Sequence, residues 1–134
     1  MYRTILGIER LLTDKTNLLR GLRVGLVCNQ ASVIPDSFVH AADAFAEHPD
    51  INLTTLFGPQ HGIRGDLQDN MIETPHSVDE RTGKTVYSLY SETREPTEEM
   101  VKDIDAFVID LQDVGCRIYT FVYTMANCMR AAKQ

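Results

Sequence analysis

Tryptophan is absent from this chain of 134 residues, and so is any cluster of lysine and arginine. The 13 Lys and Arg stand against 19 Asp and Glu, for a net charge of −6. Nucleic acid and an anionic membrane both need a basic surface, so neither is expected as the main partner. Cysteine is scarce and odd in number. Cys28, Cys116 and Cys128 share no CxxC spacing and lie in apolar or helical contexts, which reads as buried free thiols of a reducing compartment. Met1 to Leu12 mixes Arg3, Glu9 and Arg10 with a few apolar residues. It is neither a signal-peptide core nor a membrane span, and the chain as written reads as cytoplasmic, with export open if the natural protein carries a leader.

Cofactor signatures are missing too. Gly58, Gly62 and Gly65 do not follow GxGxxG, and Asp66-Leu67-Gln68-Asp69-Asn70 lacks the apolar register of a phosphate-binding helix. His40, His48, His61 and His76 form no HExxH or other ligand spacing, and His40 and His48 are expected on or beside a helix surface. Ser88 and Ser91 lack a GxSxG context. No metal and no organic cofactor is expected.

What is there is an ordinary globular composition, 43% hydrophobic and 24% charged, in a length that suits one domain. Short apolar runs at Arg23 to Cys28, Ile51 to Phe57, Thr85 to Tyr90 and Ala106 to Asp110 read as strands. Helical spacing links Ile5, Ile8, Leu11 and Leu12, then Val39, Ala42, Phe45 and Ala46, then Met100, Val101 and Ile104 behind a Thr97 cap. A closing helix is expected to bury Ile118, Phe121, Val122, Met125 and Met129. The alternation predicts an α/β fold: a Rossmann-like parallel sheet with helices on both faces. Because the last helix leads to no further strand, the domain reads as incomplete. Residues 66–84 carry five carboxylates without a clear period, and a loop that long is usually functional.

Two strands end in unusually polar segments. Phe57-Gly58-Pro59-Gln60-His61-Gly62-Ile63-Arg64-Gly65 sets an amide, an imidazole and a guanidinium among glycines. Asp110-Leu111-Gln112-Asp113-Val114-Gly115-Cys116-Arg117-Ile118-Tyr119-Thr120 brings two carboxylates, an amide, an arginine and a tyrosine. Open α/β sheets hold ligands at the carboxyl ends of their strands, so both segments and Asn29, at the end of the first strand, are expected to line one cleft. Each residue also has a plainer use. Asp113 can cap the turn into the last helix, Arg117 can neutralise a nearby carboxylate, Tyr119 can be core, and His61 can be an ordinary loop residue.

These residues, in order, resemble the exo-β-N-acetylmuramidase family, the NamZ-type glycosidases. The similarity runs through Gly7-Ile8-Glu9-Arg10-Leu11-Leu12, Arg23 to Gln30, Phe57 to Gly65, Val86 to Tyr90, Pro96 to Met100 and Ile109 to Thr120. The resemblance implies a Rossmann-like catalytic lobe joined to a smaller lobe, with a cleft that releases N-acetylmuramic acid from peptidoglycan fragments, and no cofactor. Family members are much longer, so residues 1–134 correspond to the amino-terminal part of the first lobe, with the second lobe lying outside this chain, and such a piece alone is expected to be inactive. The implied catalytic set is Gln60, His61, Asp110 and Asp113, with Asn29, Arg64, Gln112, Arg117 and Tyr119 binding substrate. One departure stands out. The family's usual motif is Pro-Glu-His-Gly, and Gln60 holds the place of its glutamate. An amide cannot donate a proton to a leaving oxygen, so Asp110, Asp113 or a carboxylate of the 66 to 80 loop would have to supply it. The other two readings are a sugar-binding protein without catalysis and a different enzyme on the same scaffold.

Overall fold

The computed structural model describes residues 3–65 and 75–133. Its elements in chain order are α1 (Gly7–Leu11), a 3-10 turn (Thr16–Leu19), β1 (Arg23–Cys28), α2 (Ala41–Glu47), β2 (Asn52–Gly58), β3 (Ser77–Val78), β4 (Thr85–Ser88), α3 (Glu98–Val101), β5 (Ala106–Asp110) and α4 (Phe121–Ala131). The five strands form one sheet in the order β3-β4-β2-β1-β5. β4, β2, β1 and β5 are parallel, as the alternation predicts. β3 is the correction: it runs antiparallel to β4 and makes the sheet mixed. With two exposed residues it has too little apolar pattern to read from the sequence.

Strand alternation sorts the core into two layers. Val24, Leu26 and Cys28 of β1 face α1 and α2, packing with Ile8, Phe45 and Leu56. Val27 faces the other way with Phe57, Leu89, Met100 and Cys128. Gly25 shares that second face, where a Cβ would come within 2.9 Å of both Ile104 and Phe57. Only glycine lets α3's following turn sit this close to the sheet. Burial pushes the Cys128 thiol up to about 12 and raises Cys28 as well, so both are inert packing groups. Cys116, expected buried, is exposed.

The closing helix corrects a second expectation. α4 buries Thr124, Cys128 and Ala131, while Ile118, Val122, Met125 and Met129 stay largely exposed. Small side chains let the helix approach the sheet, and its rotation is set by tethers: Asn127 Nδ2 donates to the Arg94 carbonyl at 2.6 Å and Arg130 pairs with Glu95 at 3.3 Å. The apolar ridge read by period thus points outward. Thr97 does precede α3, but its side chain makes no cap hydrogen bond. No helix among the described residues is long and apolar enough to cross a membrane.

Candidate functional site

Register brings the strand ends level. Cys28 pairs with Asp110 across β1 and β5, and Val27 pairs with Phe57 across β1 and β2. The loops that leave these strands therefore meet over one edge of the sheet. They enclose a cavity of about 480 Å³ lined by Asn29, Gln60, His61, Gln112, Tyr119 and Phe121, among others. Five of the nine expected site residues share this cavity: Asn29, Gln60, His61, Gln112 and Tyr119. The Tyr119 ring stands edge-on to Phe121 at 5.6 Å, which holds it upright in the wall.

His61 occupies its place under strain. Gly62 N–H donates to the Pro59 carbonyl at 3.1 Å and closes a turn in which His61 takes φ 73°. Turns of this kind favour glycine at that position, and a histidine there costs about 1 kcal/mol. Strain of this sort persists where the surroundings over-determine it, and it concentrates at functional sites. The turn is also tightly backed. A Cβ on Gly58 would meet Ile63 at 3.2 Å and Gly62 at 3.4 Å.

Asp110 does not line this cavity. It shares the face of its register partner Cys28, on the α1 and α2 side of the sheet, and borders a different cavity of about 350 Å³ with Ile8, Phe45 and Val108. Gln112 Nε2, in the main cavity, approaches Asp110 Oδ1 at 3.5 Å, a distance too long for a strong hydrogen bond. Asp110 Oδ2 is buried and has no hydrogen-bond partner among the described residues. Burial raises the Asp110 pKa above the ordinary carboxylate value.

Asp113 is differently placed. Its Oδ1 accepts from Gly115 N–H at 2.8 Å and its Oδ2 from Val122 N–H at 3.3 Å, so it caps the turn into α4. Arg117 sits on the exposed loop between β5 and α4. Arg64, expected in the cleft, turns away from it. Its guanidinium forks onto Asp43 at 2.7 and 3.0 Å and onto Asp79 at 2.9 Å through both Nε and Nη2. Arg64 lines a separate hollow of about 300 Å³ with Gly62, Ser77 and Asp79. Of the carboxylates expected in the 66 to 80 loop, Asp66, Asp69 and Glu73 lie outside the described residues, Asp79 is committed to Arg64, and Glu80 is exposed and lines the Arg64 hollow rather than the main cavity. Among the described residues no group of three or more His, Cys, Asp and Glu is arranged to hold a metal ion.

Sequence reasoning missed two contributors. Ser32, fully buried, accepts from Asn29 N–H at 3.0 Å and donates its hydroxyl to the Asp110 carbonyl, joining the ends of β1 and β5. His40, expected on a helix surface, is buried as the N-cap of α2. Its position just before Ala41-Ala42-Asp43 was the available signal.

A model of the family described as "Exo-beta-N-acetylmuramidase NamZ, N-terminal" matches residues 24–134. The chain is 50% identical over 128 residues to a curated Bacillus subtilis (strain 168) protein named peptidoglycan beta-N-acetylmuramidase NamZ, covering 96% of this chain and 30% of that protein. It is also similar to two crystal structures of DUF1343 family proteins from Bacteroides fragilis NCTC 9343. The first has a TM-score of 0.83 at 44% identity, covering 94% of this chain and 30% of that one. The second has a TM-score of 0.76 at 28% identity, covering 97% and 31%. The chain thus spans about a third of the length of the relatives it matches. With the strand order, the polar strand ends and a family match over most of its residues, the chain belongs to the NamZ exo-β-N-acetylmuramidase family, in the amino-terminal region of that family.

Proposed function

We propose that the whole protein is a glycosidase that releases N-acetylmuramic acid from peptidoglycan fragments, and that this chain is the amino-terminal part of its Rossmann-like lobe. The observation that carries the reading is Asp110: a carboxyl group at a strand's carboxyl end, next to Gln112 of the cavity wall, with one oxygen buried and without a hydrogen-bond partner among the described residues and with its proton affinity raised. A general acid is helped by a raised proton affinity, the direction in which burial moves Asp110, and the Gln60 amide cannot serve. Asp110 is assigned that role through its neighbour Gln112, whose amide lies 3.5 Å from Asp110 Oδ1 and belongs to the cavity wall. The substrate's own acetamido group then acts as nucleophile, leaving only the acid for the protein to supply.

The remaining residues position the sugar. Asn29, Gln60, His61 and Gln112 offer amide and imidazole groups to its hydroxyl and acetamido groups, and Tyr119 gives a wall for the ring. Arg117 binds the lactyl carboxylate, because Arg64 is already saturated by Asp43 and Asp79. A reducing cytoplasm fits the three free cysteines. The test is release of chromophore from a chromogenic N-acetyl-β-muramide by the whole protein. Turnover that disappears in Asp110→Asn supports the assignment, and no turnover above the uncatalysed rate in the wild type overturns it.

A further inference from the structure

The loops that build the cavity leave different strands, and something must hold them at a set distance. The buried imidazole of His40 touches both. Its Nε2 lies 3.0 Å from the Asn29 carbonyl, after β1, and 3.0 Å from the Ile63 carbonyl, after β2. Its Nδ1 accepts from Ala42 N–H at 3.2 Å. A neutral imidazole has one donor and one acceptor, so the acceptor role at Nδ1 puts the proton on Nε2, where both carbonyls share it.

We propose that His40 is a positioning residue for the candidate site, one ring proton holding the Asn29 loop and the Gln60-His61 loop at the spacing that shapes the cavity. Its reach extends to the third strand end, because Asn29 is bonded to Ser32 and Ser32 to the Asp110 carbonyl. The same helix grips the second loop again at the next residue, where Asp43 of α2 takes the Arg64 guanidinium. α2 therefore holds the turn that carries the strained His61 at two consecutive residues, Ile63 and Arg64. A packing role alone would not call for a ring nitrogen equidistant from two loop carbonyls.

The two ring nitrogens can be tested separately. His40→Asn places an amide oxygen near Nδ1 and keeps a strong N-cap, but withdraws the donor from Asn29 and Ile63. His40→Gln carries its amide nitrogen out to the Nε2 position and keeps the bridge, but gives up the cap. In the whole protein, His40→Asn is expected to melt close to wild type while kcat on the muramide falls on the order of 100-fold, KM changing little. His40→Gln is expected to melt lower and yet recover most of that kcat. Rates that follow melting temperature across the pair would mean a purely structural histidine and would overturn the proposal.

The kinetic arm rests on the glycosidase reading, so a second arm does not use activity. With the same proteins 15N-labelled at histidine and isoleucine, His40→Asn should shift the His61 ring and Ile63 amide resonances, and His40→Gln should leave them near wild type. Unmoved His61 and Ile63 resonances in His40→Asn sink the positioning role whatever the substrate. An inactive wild type with the expected shifts sinks the glycosidase reading alone.

Discussion

Arg64 grips Asp79 with a two-pronged fork, Nε to Oδ1 and Nη2 to Oδ2, both at 2.9 Å. The same guanidinium holds Asp43, and the three side chains are largely shielded from water. This clamp joins α2, the turn after β2 and the segment between β3 and β4. Removing the cation would leave two buried carboxylates, Asp79 held by the Thr82 hydroxyl and backbone N–H and Asp43 offset among the described residues by the exposed Arg81 at 3.2 Å. Arg64→Met is therefore expected to destabilise the fold by about 3 kcal/mol in chemical denaturation. Adding Asp43→Asn and Asp79→Asn to it should return part of that loss.

The same clamp sets the response to acid. Burial alone would raise Asp79, but hydrogen bonds from Arg64 and from the Thr82 hydroxyl and backbone outweigh it and hold Asp79 at about 2, against an ordinary 3.8. Asp43 is lowered too, chiefly by Arg64. A depressed folded-state pKa contributes stability that is complete above the ordinary value and is lost as the pH falls through the folded one. Asp110, raised by burial, has the opposite sign: its charge is a cost at neutral pH that protonation relieves. Thermal melts should therefore show the clamp's contribution disappearing between about pH 4 and pH 2, and Asp79→Asn should flatten that limb. An unchanged acid limb in Asp79→Asn would remove the clamp from the account.

His61 should separate stability from function. Replacing it with glycine relieves the left-handed backbone and is expected to raise stability by about 1 kcal/mol. Chromophore release by the whole protein should fall in the same variant. A variant both more stable and fully active would leave His61 as a turn residue and nothing more.

Asp110→Asn keeps the shape of the side chain and removes a buried charge, so the melting temperature is expected to hold or rise while muramide hydrolysis is abolished. Asp113→Asn should do the reverse in kind. It loosens the cap on α4, costing about 1 kcal/mol, and leaves measurable turnover.

Gln60→Glu tests the departure from the family's Pro-Glu-His-Gly motif. A new carboxylate in the cavity wall would raise the pKa of a neighbouring acid or repel the muramic carboxylate. The expected result is lower activity, read as a higher KM and an altered pH profile. Raised activity that is lost as the new carboxylate ionises would instead assign the acid role to position 60.

The sequence by itself determined the parallel core of the sheet and which ends of it would be polar. Local signals suffice there, because Arg23 to Cys28, Asn52 to Gly58 and Ala106 to Asp110 are short, mainly apolar runs, the first two largely buried and the third half-buried, each followed by a polar segment. Family membership was legible for the same reason: it rests on residue types in order. What the tertiary structure alone decided was the partner of each polar group. Arg64 follows Gln60 and His61 by only a few residues, yet its charge is claimed by Asp43 and Asp79, which lie 21 and 15 positions away in the chain. His40, read from the sequence as lying on or beside a helix surface, is in the fold a buried helix cap and a bridge between two loops. In this chain α4 turns Cys128 onto the sheet and leaves Val122, Met125 and Met129 exposed. Periodicity reports how a segment would bury itself in isolation. The pairing of buried charges and the rotation of a helix are settled by neighbours distant in sequence, whose contacts no local window contains.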